Sequence, residues 1–296
     1  MPYDATRSAL FRPGNATNFF ASGRPASDAA LCAEMARLAY VKSPADLKKY
    51  LDRAGFALGK TIGYETGGTQ AFVAHDRTIN ISLVVFRGSE PDDPSDLFTD
   101  AKFKLEDWRD AAGNALGQVH GGFADAALEI RRVDGHDVHI FAEIKHLIDA
   151  QMPSQRILIT GHSLGAAMAT LMASWVPAAQ LYTFGSPRVG NTAFARAIKN
   201  PVALRVVNCC DRVTRIPPGS ELGFDYQHVG ALDYIDRSGG RLGAASENTI
   251  NADRVAAAAD YFVNYAFLHG TVFARELADH APVNYVSGIM GTRTSG

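Results

Sequence analysis

The feature that most constrains the fold is an alternation of continuously apolar segments with helical segments between residues 79 and 211. The apolar segments read INISLVVFRGS, RILITGHS, AQLYTFGSP and VALRVVNCCD, and the helical ones VHIFAEIKHLIDAQMP, LGAAMATLMASWV and TAFARAIKN. Strands that are buried on both faces of a parallel sheet are continuously apolar, because helices cover both faces. Strand–helix–strand order therefore predicts an α/β fold with a mostly parallel central sheet.

The division into domains follows from the same pattern. Residues 1–24 lack periodicity and are predicted to form an irregular N-terminal arm. Ser27 can cap a helix, after which no linker rich in Pro, Gly or Ser divides the chain. We therefore expect a single domain over 25–296. Within it, the Gly- and Ala-rich segment at about 231–265 is predicted to be an insertion containing one further helix.

Composition excludes several classes of protein. The 296 residues are 47% apolar and 20% charged, as in ordinary soluble globular proteins. The net charge of -2 argues against nucleic-acid binding, which usually produces a basic stripe. No apolar stretch is long enough for a transmembrane segment. The N-terminus has no apolar core typical of a signal peptide, so the expected location is left open between cytoplasm and secretion after signal removal.

The cysteines do not predict a disulfide framework. There are three of them, Cys32, Cys209 and Cys210, and the adjacent pair could close only a strained ring. We expect three reduced, mostly buried thiols, with the vicinal disulfide as the minor alternative. No Cys/His cluster has the spacing of a zinc site, so neither a metal nor another cofactor is expected.

A GHSLG pentapeptide, Gly161 to Gly165, separates a predicted strand from a predicted helix. Gly-x-Ser-x-Gly at a strand-to-helix turn projects the serine hydroxyl above the sheet, where the helix N–H groups can stabilise negative charge. Flanking side chains would collide with the strand and the helix. Ser163 is therefore the predicted nucleophile; the alternative, a glycine-rich turn with an incidental serine, fits this context less well. We interpret His162 as structural, because adjacent side chains in such a turn diverge.

A serine nucleophile needs a base, and the base needs a carboxylate to orient it. In hydrolases with this turn the chain order is serine, acid, histidine, which leaves His228, His269 and His280. His280 lies on a loop after the last clear helix and is favoured. His269 lies in a helix-like stretch and His228 in a short strand-like one, and neither is excluded.

The favoured acid is Asp211, at the end of an apolar strand where open α/β sheets place their sites. It could instead cap a turn or pair with Arg212 or Arg215. Asp225 and Asp233 are weaker candidates, since both lie in less regular segments.

Six blocks, in this order, resemble the class 3 lipases, the fungal-type triacylglycerol lipases and their bacterial and plant relatives. The blocks are VVFRGSE, VHGGF, ITGHSLGAAMATLMA, LYTFGSPRVGN, VVNCCDRVTRIPP and DHAPVNYV. The resemblance implies an α/β-hydrolase fold, with Ser163 as nucleophile, Asp211 as acid and His280 as base. It also implies an oxyanion hole from the N–H and hydroxyl of Ser89 and the N–H of Leu164. The role of Ser89 rests on the resemblance alone.

The sequence departs from the family where the family has an amphipathic lid. Residues 90–103 are acidic, and Pro91 and Pro94 interrupt their first half. A short helix could begin at Ser95, with few apolar residues to cover a site. This predicts weak activation at an oil–water interface and leaves shorter or more soluble esters as substrates. Ala166, where many relatives have a second glycine, suits a helix interior.

The resemblance therefore implies a carboxylic ester hydrolase that cleaves acylglycerols or similar lipid esters through an acyl-enzyme. The expected partners are a lipid or small ester and, transiently, a lipid–water interface. A phospholipase A1, a galactolipase and an acyltransferase with the same triad are the alternatives. A non-catalytic lipid-binding protein on this fold is a further one.

Overall fold

The computed structural model describes residues 1–64, 68–89, 103–133, 136–151 and 155–293. The helices are α1 Arg7–Phe11, α2 Asp28–Leu38, α3 Pro44–Arg53, α4 Gly121–Ala127, α5 Ile140–Gln151, α6 Leu164–Trp175, α7 Thr192–Ala197, α8 Glu247–Asn264, α9 Arg275–Ala278 and α10 Pro282–Ile289. The strands are β1 Ala57–Ile62, β2 Ala71–Asp76, β3 Ile81–Phe86, β4 Leu105–Arg109, β5 Ala115–His120, β6 Ile130–Val133, β7 His136–His139, β8 Arg156–His162, β9 Gln180–Phe184, β10 Ala203–Asn208, β11 Ala231–Ile235 and β12 Arg241–Gly243.

In the described part of the chain, the central sheet has eight strands in the order β1-β2-β3-β8-β9-β10-β11-β12. The five strands from β3 to β11 are parallel, and the pairings of β1, β2 and β12 are antiparallel. The predicted α/β fold with a mostly parallel sheet is thus confirmed. Parallel neighbours bring the carboxyl ends of β8, β9 and β10 to one edge, where a site can form.

Helices cover both faces of this sheet. Leu83 and Leu158 point to one face and pack in a core with α2 and α10. Val84 and Ile159, the next residues along the same strands, point to the opposite face and pack against α6. Because side chains alternate along a strand, the continuous apolar runs of β3 and β8 supply both cores.

Several boundaries differ from those read from the sequence. Residues His136–His139 form strand β7, so the helix expected from residue 138 begins at Ile140. The segment at about 231–265 begins with β11, which is a strand of the central sheet, and its helix is α8. The first 24 residues include α1, and the side chains of Phe19 and Phe20 are buried in the core. The domain division itself stays a prediction.

Three further elements were not predicted from the sequence: the α3 helix, the β1–β2 pair and the β4–β5 hairpin. They lie around the parallel strands. Among the described helices, none combines the length and the hydropathy that a membrane span requires.

Candidate active site

The turn between β8 and α6 holds Ser163 in a strained conformation. Its φ of 58° and ψ of -128° lie where L side chains are rarely found. The Ser163 N–H donates to the carbonyl of Phe184 on the neighbouring strand at 3.0 Å, which fixes the turn to the sheet. Ser163 is 2% exposed and immediately precedes the first turn of α6. The hydroxyl therefore lies beside helix N–H groups that have no partner within the helix.

The two glycines of the pentapeptide permit this turn. A Cβ on Gly161 would lie 2.2 Å from the carbonyl oxygen of Gly165. A Cβ on Gly165 would lie 2.4 Å from the carbonyl oxygen of Phe86, at the end of β3. Both distances are far below van der Waals contact, so the collision expected from the sequence is present at both positions. The close approach also brings the loop after β3 next to Ser163.

The structure brings together Ser163, His280 and Asp211, which lie far apart in the chain. His280 Nε2 is 2.9 Å from Ser163 Oγ, and His280 Nδ1 is 2.9 Å from Asp211 Oδ2. All three side chains are buried. A carboxylate only accepts hydrogen bonds, so Nδ1 carries the proton and Nε2 is free to accept the serine proton.

Asp211 follows β10 and is surrounded by donors. Its Oδ1 accepts from the Val213 N–H at 2.8 Å, and its Oδ2 accepts from the hydroxyl of Tyr285 as well as from His280. Burial, followed by the charge of Asp211, raises the pKa of Tyr285 well above its usual value. Tyr285 therefore stays protonated and donates. Sequence reasoning missed this residue; the available signal was its position five residues after His280, in the DHAPVNYV block.

His162 packs against the ring of the candidate base. Its Nδ1 is 2.8 Å from the hydroxyl of Tyr40, and its ring lies 4.6 Å from that of His280. Burial, with a smaller contribution from His280, holds the pKa of His162 well below its usual value. The imidazole is therefore neutral and presents no positive charge to the ring of His280. This environment agrees with the structural role expected for His162.

The other candidate bases have other surroundings. His228 lines a different cavity, bounded by the loop that follows Asp211, and His269 is exposed on the loop after α8.

The weaker candidate acids are also engaged elsewhere. Asp225 accepts from the backbone and hydroxyl of Thr192, at 3.1 and 2.7 Å. Asp233 forms an ion pair with Arg241. Of the alternatives left open by the sequence, the geometry favours Asp211 and His280.

Ser89 and Leu164 line one cavity of about 460 Å³ next to the serine turn, together with Arg87, Gly88 and Met168 among others. Ser89 is exposed and Leu164 is partly exposed. A Cβ on Gly88 would lie 2.6 Å from the backbone carbonyl oxygen of His162, so the loop that carries Ser89 passes this point only with glycine. Residues 90–102, which carry nearly all of the predicted lid, lie outside the described residues.

All three cysteines are free and buried, as expected. The Sγ atoms of Cys209 and Cys210 are 3.6 Å apart, and that of Cys209 lies 3.2 Å from a carboxylate oxygen of Asp253. Cys209, Cys210 and Asp279 have ligand atoms near enough to share a metal ion. However, both Asp279 oxygens already accept hydrogen bonds, from Tyr3 at 2.8 Å and from the Cys210 N–H at 3.0 Å. The Asp279 carboxylate is therefore held in place by hydrogen-bond donors on both of its oxygens.

Comparison with protein families identifies one matching family, described as Lipase (class 3), over residues 83–221. Two similar proteins are a secreted mono- and diacylglycerol lipase of Fusarium solani and the triacylglycerol lipase OBL1 of Arabidopsis thaliana. The first is 32% identical over 192 residues, covering 62% of this chain and 52% of that protein. The second is 28% identical over 266 residues, covering 74% and 49%. The chain thus spans about half the length of these relatives.

Two solved structures share the fold. A lipase from Rhizopus microsporus var. chinensis aligns with a TM-score of 0.53 and 26% identity, over 70% of this chain and 71% of that chain. A triacylglycerol lipase whose catalytic centre is described as a serine protease triad aligns with a TM-score of 0.52 and 25% identity, over 78% and 82%. The matched region 83–221 includes Ser163 and Asp211 but ends before His280.

Proposed function

The chain belongs to the class 3 lipase family of the α/β-hydrolase superfamily, and on that premise we propose that it hydrolyses lipid esters with Ser163 as nucleophile. In this proposal His280 is the base and Asp211 the acid. The observation that carries it is the buried hydrogen-bond chain from Ser163 Oγ through both His280 nitrogens to Asp211 Oδ2, with 2.9 Å at each step. Three such groups in the required order activate a serine for acyl transfer.

In the first step His280 Nε2 takes the proton from Ser163 Oγ as the oxygen attacks the ester carbonyl. Asp211 holds the Nδ1 proton and stabilises the imidazolium that forms. The neutral state of His162, which packs against the same ring, adds no opposing charge. His280 then protonates the leaving alcohol, and an acyl group remains on Ser163.

The oxyanion that develops on the ester carbonyl needs hydrogen-bond donors. In this proposal the donors are on the part of the cavity wall that Ser89 and Leu164 form. We assign this role to the N–H and hydroxyl of Ser89 and to the N–H of Leu164. Both residues line the cavity next to the nucleophile, and the Leu164 N–H belongs to the first turn of α6. Loss of one such donor typically lowers turnover by about 10²–10³. In the second step water, activated by His280, hydrolyses the acyl-enzyme and restores Ser163.

The proposed substrates are acylglycerols or similar lipid esters. The named relatives support this class, since they are a mono- and diacylglycerol lipase and a triacylglycerol lipase. A run of exposed apolar side chains supports transient contact with a lipid–water interface. These are Phe262, Val263, Phe267 and Phe273, which are 62–80% exposed on the second half of α8 and the loop after it.

The decisive test is hydrolysis of p-nitrophenyl esters by Ser163→Ala, with Ser287→Ala as the matched loss of a buried serine hydroxyl. Ser163→Ala should lose at least about 10³ in kcat, and a fluorophosphonate should label the parent and Ser287→Ala but not Ser163→Ala. Near-parental turnover or labelling in folded Ser163→Ala would overturn the assignment.

Substrate class is tested separately by product analysis with triacylglycerol, diacylglycerol, phospholipid, galactolipid and an alcohol acceptor. The proposal requires acylglycerols to be cleaved fastest. Preferential release from phospholipid or galactolipid, or transfer to the alcohol, would replace it while leaving the triad assignment in place.

A further inference from the structure

Asp279, the residue before the candidate base, is a fully buried carboxylate that the proposed mechanism does not use. Its Oδ1 accepts from the hydroxyl of Tyr3 at 2.8 Å, and its Oδ2 accepts from the backbone N–H of Cys210 at 3.0 Å. Oδ2 also forms an ion pair with Arg275, whose Nε lies 3.1 Å away and whose side chain is buried too. A carboxylate is costly to bury unless it is paired and hydrogen-bonded. These three partners meet that requirement and fix the group in one place.

The contact with Cys210 joins the two loops that carry the acid and the base. Cys210 immediately precedes Asp211, and Asp279 immediately precedes His280. A second hydrogen bond runs between the same loops, because Nδ2 of Asn208 donates to the backbone carbonyl of Asp279 at 2.8 Å. The loop after β10 and the loop between α9 and α10 are thus joined twice, at positions next to the acid and the base. The 2.9 Å distance from Oδ2 of the acid to Nδ1 of the base depends on how these loops are held together.

Tyr3 and Arg275 hold the same carboxylate from its other side. Burial, followed by the charge of Asp279, raises the pKa of Tyr3 well above its usual value, so the phenol stays protonated and donates. The guanidinium of Arg275 lies 5.2 Å from the centre of the Tyr3 ring. The segment that carries Tyr3 is fixed to the chain before α9 by a hydrogen bond from the Val272 N–H to the Ala5 carbonyl at 2.9 Å. The N-terminal residues, which the sequence predicts as an irregular arm, therefore support the segment that carries the base.

We propose that Asp279 is a positioning residue of the hydrolysis: by fixing the loop of His280 to the loop of Asp211, it keeps the imidazole at hydrogen-bond distance from the acid. This inference rests on the proposed function, because it concerns the same triad. Asp279 is not among the described residues that line the cavity bounded by Ser89 and Leu164. Its effect therefore passes through the orientation of the base and not through contact with the substrate. A misplacement of about 1 Å at reacting groups can lower the rate about 10²-fold.

The test compares Asp279→Ala with Glu34→Ala in p-nitrophenyl ester hydrolysis. Glu34 is a matched control, since it is a buried carboxylate that pairs with Arg37 on its own helix and accepts from the Phe20 N–H at 2.9 Å. Both variants should be less stable in urea, because each leaves a buried arginine unpaired. Only Asp279→Ala should lower kcat, on the order of 10²-fold. KM should change little, because His280 acts in acylation and in deacylation and both steps slow together. Equal losses of kcat in the two folded variants would overturn the proposal.

Asp279→Asn separates the position of the group from its charge. The amide oxygen can still accept from the Cys210 N–H, and the amide nitrogen can donate to the Tyr3 hydroxyl, which is able to accept. This variant should therefore keep most of the kcat that Asp279→Ala loses. If folded Asp279→Asn loses as much as Asp279→Ala, the charge rather than the position acts on His280, and the proposal is wrong.

Asn208→Ala tests the second connection without removing a charge, and it remains informative if Asp279→Ala does not fold. It removes the donor to the Asp279 carbonyl and should lower kcat on the order of tenfold. The control is Asn200→Ala, because the Asn200 amide also donates to backbone carbonyls, three of them at 2.9–3.2 Å at and after the end of α6. Parental kcat in folded Asn208→Ala would contradict the claim that joining the two loops sets the geometry of the triad.

A spectroscopic readout distinguishes failure of this proposal from failure of the proposed function. The Nδ1 proton between His280 and Asp211 should resonate far downfield in the proton NMR spectrum, and His280→Gln identifies it by its loss. Asp279→Ala should shift this resonance upfield or broaden it through exchange with water, whereas Glu34→Ala should leave it in place. If the parent cleaves no ester but the resonance responds in this way, the proposed function fails and the positioning of His280 stands. If the parent cleaves esters through Ser163 and the resonance is unchanged in Asp279→Ala, the positioning role alone fails.

Discussion

Tyr285 donates its hydroxyl hydrogen to Oδ2 of Asp211, the same oxygen that lies 2.9 Å from Nδ1 of His280. The tyrosine hydroxyl also accepts from the Asn208 N–H at 3.3 Å, at the end of β10. One phenol thus ties the carboxylate of the candidate triad to the strand that precedes it. Tyr285 is fully buried on α10, two turns or less from His280, so the helix that follows the base also supports the acid.

Tyr285→Phe should lower both stability and activity. Removal of the hydroxyl leaves a buried carboxylate oxygen and a buried N–H with fewer partners, at a cost of about 1–3 kcal/mol. The freed carboxylate should also orient His280 less well, which predicts a decrease of kcat on the order of tenfold. Urea denaturation and p-nitrophenyl ester kinetics measure the two effects. Tyr182→Phe, which removes a hydroxyl bonded to Gln180, is the control and should leave kcat unchanged.

Gly185→Ala should impair the site specifically. Gly185 has a φ of 59°, and a Cβ there would lie 2.9 Å from Asp211 Oδ2 and 3.2 Å from His280 Nδ1. Displacing these groups by a fraction of an ångström should reduce kcat/KM on the order of 10²-fold. Gly243→Ala is a matched control, because Gly243 has the same φ of 59° but open space at its Cβ. Equal kinetic losses in the two variants would show that backbone strain alone is responsible.

Stability should fall as the pH decreases below the ordinary histidine pKa of 6.5. The pKa values of His162 and His228 are held well below that value, so the unfolded chain takes up protons that the folded one does not. The free energy of unfolding should therefore decrease by about 1.4 kcal/mol per pH unit for each histidine. Urea titrations over a pH series measure this slope. His162→Gln should reduce this slope by the contribution of one proton, about 1.4 kcal/mol per pH unit. An unchanged slope would refute the assignment of His162 as a buried neutral group.

The thiols of Cys32, Cys209 and Cys210 should resist alkylation in the folded protein. All three are buried, and burial raises the pKa of Cys32. The hydrogen bond with Cys210, followed by burial, raises that of Cys209. Iodoacetamide at mildly alkaline pH should modify none of them before unfolding and all of them in urea, as read by mass spectrometry. A Cys209–Cys210 peptide that lacks two hydrogens would instead reveal the vicinal disulfide.

The sequence alone determined the parts of the protein that depend on local patterns. Continuous apolar runs identified β3, β8, β9 and β10, because strands covered on both faces tolerate few polar residues. The glycines on either side of Ser163 predicted the strained turn. The close contacts that require glycine there lie within a single strand–turn–helix unit, so they appear in the sequence as a short, fixed spacing. Asp211 and His280 were favoured by their positions after a strand and a helix, and the resemblance to a family added Ser89.

Only the tertiary structure decided which distant groups meet. Ser163 and His280 are 117 residues apart and Asp211 and His280 are 69 apart, so no local pattern fixes their distances. The same holds for the hydrogen bond between Tyr285 and Asp211, for the close approach of Gly185 to Asp211 and His280, and for the hydrogen bond between Asp279 and Cys210. Each of these contacts depends on how separate helices and loops pack onto the sheet. Such packing brings together residues that are far apart in the chain, so no helix or strand periodicity in the sequence predicts the contact.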